Sequence, residues 1–261
     1  MNKKAIEKKF SRMGAEVRFG EPDRRRKQVK TTIDIVEDKK RGEHFVIRPM
    51  PGDEAVVVNI DAKGRHMLVN IKDEEGANTK ILCGHDERHW FAAQVPNEGV
   101  GTVKQAMEAL KPVDAHNSQV DAGVKPKNRN KRKNRGFKRQ GEFFFVESDI
   151  TVDPMLVLTD EPLRMSGRTG GKPHMAQYLY RTGGETMYVV STRLEPLTER
   201  GYRKEVRRNP DAMLLRTWVG NPIVYAKGTI KHADHATLKL DGWHKVSVNS
   251  EVRGASVVFL D

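Results

Sequence analysis

The chain has 261 residues, of which 47 are Lys or Arg and 35 are Asp or Glu, so its formal net charge is +12. Its one cysteine, Cys83, excludes an intramolecular disulfide and a zinc site built from several cysteines, and is typical of a reducing cytosol. No apolar run approaches the roughly 20 residues that a membrane-spanning helix needs, and no apolar segment of a secretory signal follows the basic N-terminus. We therefore expect a cytoplasmic protein that has no membrane partner.

The positive charge is concentrated in two segments of the chain. Residues 1–30 hold eleven Lys or Arg against four acids, and residues 125–139 hold nine Lys or Arg and no acid. A run of like charge repels itself and stays extended unless polyanionic phosphates neutralise it. The pattern predicts two basic appendages on a nearly neutral body, with a nucleic acid as the partner.

The first appendage is predicted to be a basic N-terminal arm over residues 1–28. Ala5, Ile6 and Phe10 recur at the spacing of one side of a short amphipathic helix. A basic segment broken by Gly and Pro follows and ends in residues 24–27.

From Val29 the apolar period changes to two, which is typical of β-strands, and turn residues separate the segments. Strands are predicted at Val29–Val36, His44–Met50, Ala55–Ile60, Arg65–Lys72, Thr79–Cys83 and His89–Val95. The three consecutive valines of Ala55–Ile60 favour a strand that is covered on both faces. A helix is predicted at Thr102–Leu110 because its apolar residues recur at i, i+3, i+4 and i+7. Together these elements predict a β-rich lobe with a closing helix over residues 29–112.

Residues 113–138 are rich in Pro, Asn, Gly and Lys, so they are predicted to form a basic flexible linker. Residues 139–261 are predicted to form a second, α+β lobe. The predicted helices are His174–Tyr180, which begins after Pro173, and Thr198–Arg208. The predicted strands are Glu142–Val146, Thr186–Ser191, Ile223–His232, Ala236–Leu240, Lys245–Asn249 and Ala255–Leu260. The fold class is α+β and strand-rich, with antiparallel sheets or small barrels and a few short helices.

Four groups of cations are candidates for binding a nucleic-acid backbone. One group precedes the predicted helix at His174, where Gly170 and Gly171 allow a phosphate to approach free backbone N–H groups. Another lies at helical spacing after Thr198. Interleaved Asn residues and the ring of Phe137 favour RNA or single strands over duplex DNA. The candidates are Arg24, Arg25, Arg26, Lys27; Lys125, Lys127, Arg129, Lys131, Arg132, Lys133, Arg135, Lys138, Arg139; Arg168, Lys172; Arg203 and Arg207.

His232, His235 and His244 are the candidate catalytic residues, since three imidazoles and Asp234 lie within 13 residues on adjacent predicted strands. A three-residue loop places Ile230 opposite Leu238, keeps one face of the hairpin apolar and directs His232 inward. Such a group is able to bind a metal or to act as general acid and base in phosphodiester cleavage. The alternative is a polar hairpin tip with a structural histidine, and the sequence does not identify a metal.

Cys83, His85 and His89 form a second local group, but nothing in their spacing fixes the geometry that a nucleophilic cysteine or a zinc site requires. We interpret this segment as a charged turn between two strands, with Cys83 as a small buried hydrophobic residue.

The sequence thus favours a nucleic-acid-binding protein, with RNA as the preferred ligand and no cofactor. One alternative is a histidine-dependent nuclease or phosphodiesterase, the only case in which a divalent metal is expected. Another is a scaffold subunit of a ribonucleoprotein or other large assembly, with further protein subunits as partners. A binding protein is favoured over an enzyme because no specific catalytic motif is present.

Overall fold

The computed structural model describes residues 1–22, 30–38, 42–96, 98–163 and 172–250. Four helices and four sheets fill this part of the chain, which confirms the strand-rich α+β class, and no sheet there closes into a barrel. None of the described helices is both long and apolar enough to span a bilayer. The predicted strand at residues 255–260 and the cations Arg24, Arg25, Arg26, Lys27 and Arg168 lie outside the described residues.

The N-terminal half, residues 1–111, contains two sheets, with strand order β1-β3-β2 and β4-β5-β6-β7. Its strands are β1 (Val17–Phe19), β2 (Thr32–Asp38), β3 (Gly42–Arg48), β4 (Glu54–Asp61), β5 (His66–Lys72), β6 (Asn78–Asp86) and β7 (His89–Val95). Pairing is antiparallel except between β1 and β3. All six strands predicted for this half are present.

An aromatic core joins these two sheets to helix α1 (Lys3–Arg12). The ring of Phe45 contacts Phe10 on one side and Trp90 on the other, with centroid separations of 5.0 and 5.4 Å. Ile6 and Phe10 are buried, whereas Ala5 is exposed. The predicted N-terminal helix is confirmed. The prediction of a basic arm is wrong for residues 1–22, because burial of Phe10 and pairing of β1 with β3 attach these residues to the fold.

The second sheet carries apolar residues on both faces. Met67 and Val69 of β5 face the aromatic core, while Leu68 faces helix α2 (Val103–Ala109), whose first turn is capped by Thr102. The prediction that 55–60 is covered on both faces is wrong, since β4 is an edge strand and leaves Val56 57% exposed. Strands β5, β6 and β7 are the ones covered on both faces, because α2 packs over them on the face opposite the aromatic core.

The C-terminal half, residues 112–250, is built on a six-stranded sheet with order β10-β11-β15-β16-β9-β8 and a smaller sheet with order β13-β12-β14. Its helices are α3 (Val113–Asp121) and α4 (Glu199–Arg208). Its strands are β8 (Lys138–Gln140), β9 (Phe143–Glu147), β10 (Leu158–Leu163), β11 (His174–Thr182), β12 (Glu185–Val190), β13 (Leu197–Thr198), β14 (Leu214–Gly220), β15 (Ile223–Lys231) and β16 (Leu238–Val248).

The helix predicted over 174–180 is wrong, since these residues belong to strand β11. This strand pairs with β10 and β15, and a bulge after Ala176 directs both Ala176 and Leu179 into the core. Pro173 favoured a helix, but proline is also found before and at the first residue of strands, and the bulge breaks the period of two that would have indicated one. The predicted register of Ile230 opposite Leu238 is confirmed. The strands predicted at residues 236–240 and 245–249 form one continuous strand, β16.

Residues 113–138 are not a flexible linker. They begin with α3, and residues 132–139 form a short hairpin in which the Arg139 N–H donates to the Arg132 carbonyl at 2.7 Å. The hairpin is attached to α3, because the Ser118 hydroxyl donates to the Gly136 carbonyl at 2.7 Å. Phe137 is buried against Phe144, with ring centroids 5.0 Å apart. An apolar anchor and hydrogen bonds to α3 therefore order a segment whose composition resembles that of a disordered chain.

Substitution of Gly136 by alanine is expected to destabilise the protein. A Cβ at Gly136 would lie 2.7 Å from the backbone N and Cα of Gln119, so the hairpin and α3 would have to separate. Such overpacking costs about 1–3 kcal/mol, which urea unfolding measures. Gly242→Ala is the matched control, since nothing lies within 4 Å of its Cβ, and a change within about 0.5 kcal/mol is expected. Equal stability of the two variants would contradict the packing of this segment on α3.

Candidate functional site

A cavity of about 470 Å³ lies between the two halves of the protein. The turn between β6 and β7 reaches it from the N-terminal half, and the turn between β15 and β16 reaches it from the C-terminal half. Glu43, His89, Lys131, Lys172 and Asp234 are among the residues that line it. Acidic and basic side chains therefore meet in a space that neither half encloses alone.

Asp86 and Glu87 connect the two halves at the edge of this cavity. Asp86 accepts hydrogen bonds from Arg139 at 3.1 Å and forms an ion pair with Arg132, which also pairs with Glu87. The second oxygen of Glu87 accepts from the backbone N–H of Ala236 at 2.9 Å. Two predicted nucleic-acid contacts, Arg132 and Arg139, are thus used to attach the basic hairpin to the N-terminal half.

Three histidines of the C-terminal half meet at the cavity. Antiparallel pairing of Met175 with Lys231 brings the start of β11, and with it His174, beside His232 at the end of β15. The ring centroids are 4.2 Å apart for His174 and His232, 4.7 Å for His232 and His235, and 5.4 Å for His174 and His235. One ring nitrogen of each lies within 4.8 Å of the others. We refer to His174, His232 and His235 as the histidine cluster.

The predicted grouping of His232 and His235 agrees with this arrangement, but His244 does not join them. His244 pairs with Ala226, six residues along β15 from His232, and is buried with its Nδ1 2.9 Å from the Gly242 carbonyl. His174 takes the third place. Sequence reasoning missed it because contact with the hairpin depends on β11 being a strand in the middle of the sheet.

The environments of His174 and His235 favour uncharged imidazoles. His174 is 2% exposed, and its burial together with the neighbouring His232 and His235 lowers its pKa to about 3. Burial also lowers the pKa of His235, against the opposing effect of Glu87, whose carboxylate lies 3.4 Å from Nδ1. Both rings are therefore neutral at pH 7, with lone pairs available for protons or metal ions.

Hydrogen bonds determine the tautomer of His232. Its Nε2 lies 2.9 Å from the Lys172 carbonyl, which can only accept, so this nitrogen carries the proton. Its Nδ1 accepts from the backbone N–H of Asp234 at 3.1 Å. The ammonium of Lys172 binds the Asp234 carboxylate at 2.8 Å, so this predicted phosphate contact is paired within the site. The prediction of a phosphate site before His174 depended on the free N–H groups of a helix N-terminus. A strand and not a helix begins at His174, so these groups are absent there.

Gly141, in the turn before β9, leaves open the space between two members of the cluster. It has a φ of +56°, and a Cβ placed on it would lie 3.0 Å from Nε2 of both His174 and His235. The Nε2 atom of His174 is buried and has no hydrogen-bond partner among the described residues. Two imidazole nitrogens thus face one small space that a side chain at this position would fill.

The nine cations of residues 125–139 divide into two sets. Four are half-buried and hydrogen-bonded: Arg129 to the Val124 carbonyl, Arg132 and Arg139 to Asp86, and Lys138 to the Lys239 carbonyl. The other five are exposed and have no ion pair within the described ranges of the chain. We call these five the basic surface: Lys125, Lys127, Lys131, Lys133 and Arg135.

The remaining predicted contacts lie elsewhere. Arg203 and Arg207 are exposed on α4, next to the smaller sheet, and Arg203 forms an ion pair with Glu199 one turn earlier. Phe137, expected to offer a ring to a base, is buried.

Cys83 is buried in β6, and burial raises the pKa of its thiol. A neutral, inaccessible thiol neither acts as a nucleophile nor binds a metal, in agreement with its interpretation as a buried hydrophobic residue.

The chain matches no protein-family model, no curated protein and no solved structure. Its function is therefore inferred from the chemistry of the cavity, the histidine cluster and the basic surface.

Proposed function

We propose that the protein binds the phosphate backbone of a nucleic acid through the basic surface. The observation that carries this proposal is the exposure of five cations within eleven residues, 125–135, without an acidic partner in the described part of the chain. Basic side chains placed along a surface neutralise phosphates and release the counterions condensed on the polymer.

The ordered hairpin strengthens this proposal. A flexible basic segment loses conformational freedom when it binds, which reduces the net affinity. Here the Ser118–Gly136 hydrogen bond and the burial of Phe137 already hold the segment in place. Lys131, Lys133 and Arg135 are exposed at alternate positions, while Arg132 and Asn134 between them are half-buried. The cations therefore face solvent without a further ordering step.

Single-stranded RNA is the ligand that we favour. Asn130 is exposed at the cavity wall, and its amide can donate to or accept from an unpaired base. Stacking on Phe137 is not part of this proposal because that ring packs on Phe144. Contacts to phosphates, which RNA and DNA share, dominate the binding. We therefore expect the preference for RNA over single-stranded DNA of the same sequence to be modest.

The test is binding of the protein to labelled single-stranded RNA, single-stranded DNA and duplex DNA over a series of salt concentrations. For single strands, log K is expected to fall against log salt with a slope near 0.7 for each phosphate neutralised. Five contacts predict a loss of about 100-fold between about 50 and about 200 mM salt. Absence of binding at the lowest salt would overturn the proposal.

Phosphodiester cleavage is a second candidate, favoured by the neutral imidazoles of His174 and His235 in a cavity that Lys131 also lines. His235 is placed to act as a general base, with the Glu87 carboxylate at its other nitrogen. Its test is cleavage of labelled RNA and DNA, with loss of activity expected in His235→Ala. Cleavage that persists in this variant, or none by the wild-type protein supplied with Mg²⁺, Mn²⁺ or Zn²⁺, would exclude it.

A further inference from the structure

We propose that His174, His232 and His235 bind one divalent transition-metal ion, with Zn²⁺ as the expected ion. This inference goes beyond nucleic-acid binding, which depends on different residues. It rests on the positions of the ring nitrogens, on the partners of their opposite nitrogens and on the space beside Gly141.

The donor atoms are close enough to share one ion. Zinc–nitrogen bonds are about 2.0–2.1 Å long, which places two nitrogens of a tetrahedral site roughly 3.4 Å apart. One nitrogen from each histidine of the cluster lies within 4.8 Å of the other two. The rings must therefore rotate to share one ion, and His232 and His235, which lie in the turn, are the two that we expect to move.

Each of the two turn histidines has an acceptor oxygen beside one ring nitrogen, which leaves its other nitrogen for the metal. A histidine that binds a metal donates its other N–H to a carbonyl or a carboxylate, which fixes the tautomer. The Lys172 carbonyl takes the Nε2 proton of His232, so Nδ1 is the metal donor. Nδ1 of His235 makes no hydrogen bond within the described residues, but the Glu87 carboxylate lies 3.4 Å from it, so we assign Nε2 as the donor there. His232 gives up a hydrogen bond from the Asp234 N–H when it binds the metal.

His174 supplies the observation that points most directly to a ligand. The residue is 2% exposed, and its buried Nε2 has no hydrogen-bond partner among the described residues. An unsatisfied buried nitrogen is costly unless something binds it. Gly141 keeps open the space that this atom shares with Nε2 of His235. An ion in this space satisfies both nitrogens.

The donor set selects the class of metal. Three imidazole nitrogens suit Zn²⁺, Cu²⁺, Ni²⁺ or Fe²⁺, whereas Ca²⁺ and Mg²⁺ require oxygen donors. A cysteine thiolate is not part of the set, because the single cysteine is buried in β6. Three protein ligands leave a fourth position of a tetrahedral ion for water, as in catalytic zinc sites.

Metal binding is to be measured on untagged full-length protein after removal of metals by a chelator. Equilibrium dialysis against Zn²⁺ is expected to give one bound ion per chain. Co²⁺ in place of Zn²⁺ is expected to give the intense visible absorption of a four-coordinate site with nitrogen ligands. Thermal unfolding is expected to shift to higher temperature as Zn²⁺ is added, because the ion binds the folded state.

Two variants remove a ligand and one fills the space. His174→Ala and His235→Ala are each expected to reduce Zn²⁺ affinity by more than about 100-fold, since loss of an outer partner alone costs about 10–100-fold. Gly141→Ala retains all three imidazoles but places a methyl group between two of them, so binding is expected to be lost. His116→Ala is the matched control, because His116 is exposed on α3.

Circular dichroism and the unfolding temperature without metal establish that each variant folds. If a histidine variant does not fold, the decision rests on the wild-type stoichiometry and on the Co²⁺ spectrum, which require no substitution. Failure of wild-type protein to bind one Zn²⁺ or Co²⁺ would overturn the proposal, as would wild-type affinity in folded His174→Ala. Binding that depends on the cluster would support it whether or not the protein binds nucleic acid.

Discussion

Replacement of the five cations of the basic surface by glutamine is expected to remove most of the salt dependence of nucleic-acid binding. If each cation neutralises one phosphate of a single strand, the slope of log K against log salt becomes shallower by about 3 to 4 units. Affinity at the lowest salt is expected to fall together with the slope. Fluorescence anisotropy of a labelled single strand across the salt series measures both quantities. The variant carries Lys125→Gln, Lys127→Gln, Lys131→Gln, Lys133→Gln and Arg135→Gln.

A matched variant separates the position of the charge from its amount. It removes five other exposed cations of the N-terminal half and changes the net charge equally, so its slope is expected to stay close to the wild-type value. An equal loss in both variants would show that binding follows net charge, and would contradict a defined surface. The control substitutions are Lys4→Gln, Lys8→Gln, Arg12→Gln, Lys63→Gln and Lys104→Gln.

Phe10→Ala is expected to destabilise the protein by about 3–5 kcal/mol, the range for removing a buried aromatic side chain from a core. Phe10 is fully buried and packs against Phe45. If the N-terminal segment were a free arm, the same substitution would have almost no effect. Urea unfolding followed by tryptophan fluorescence measures the change, because Trp90 lies on the other side of Phe45.

Lys8→Ala is the control for this variant, since Lys8 is exposed on the same helix. A change within about 0.5 kcal/mol is expected, because alanine is a good helix former and no buried contact is lost. Similar stabilities of the Phe10 and Lys8 variants would contradict the attachment of α1 to the core.

Local patterns predicted much of the secondary structure. The period of two predicted all six strands of residues 29–95, and Thr102 correctly marked the beginning of α2. The preference for one apolar face also gave the register of Ile230 opposite Leu238. These features depend on neighbours in sequence, so propensity and periodicity carry the information.

Composition failed where a few buried contacts order a polar segment. Residues 113–138 have the composition of a disordered linker, yet Phe137 packs on Phe144 of β9 and the Gly136 carbonyl joins the hairpin to α3. In the same way, Ile6 and Phe10 convert a basic arm into part of the core. Two or three apolar anchors hardly change the composition, although their burial decides whether the chain is ordered.

The sequence by itself determined that the nine cations of residues 125–139 could not pack together in a core, since a run of like charge is too costly to bury. It also determined that His232 and His235 lie in one hairpin turn, because both are local. Only the tertiary structure decided which cations the Asp86–Glu87 turn neutralises and that His174, rather than His244, completes the cluster. Those contacts join residues about 45 to 61 positions apart through strand order and packing of the two halves, and no local pattern encodes them.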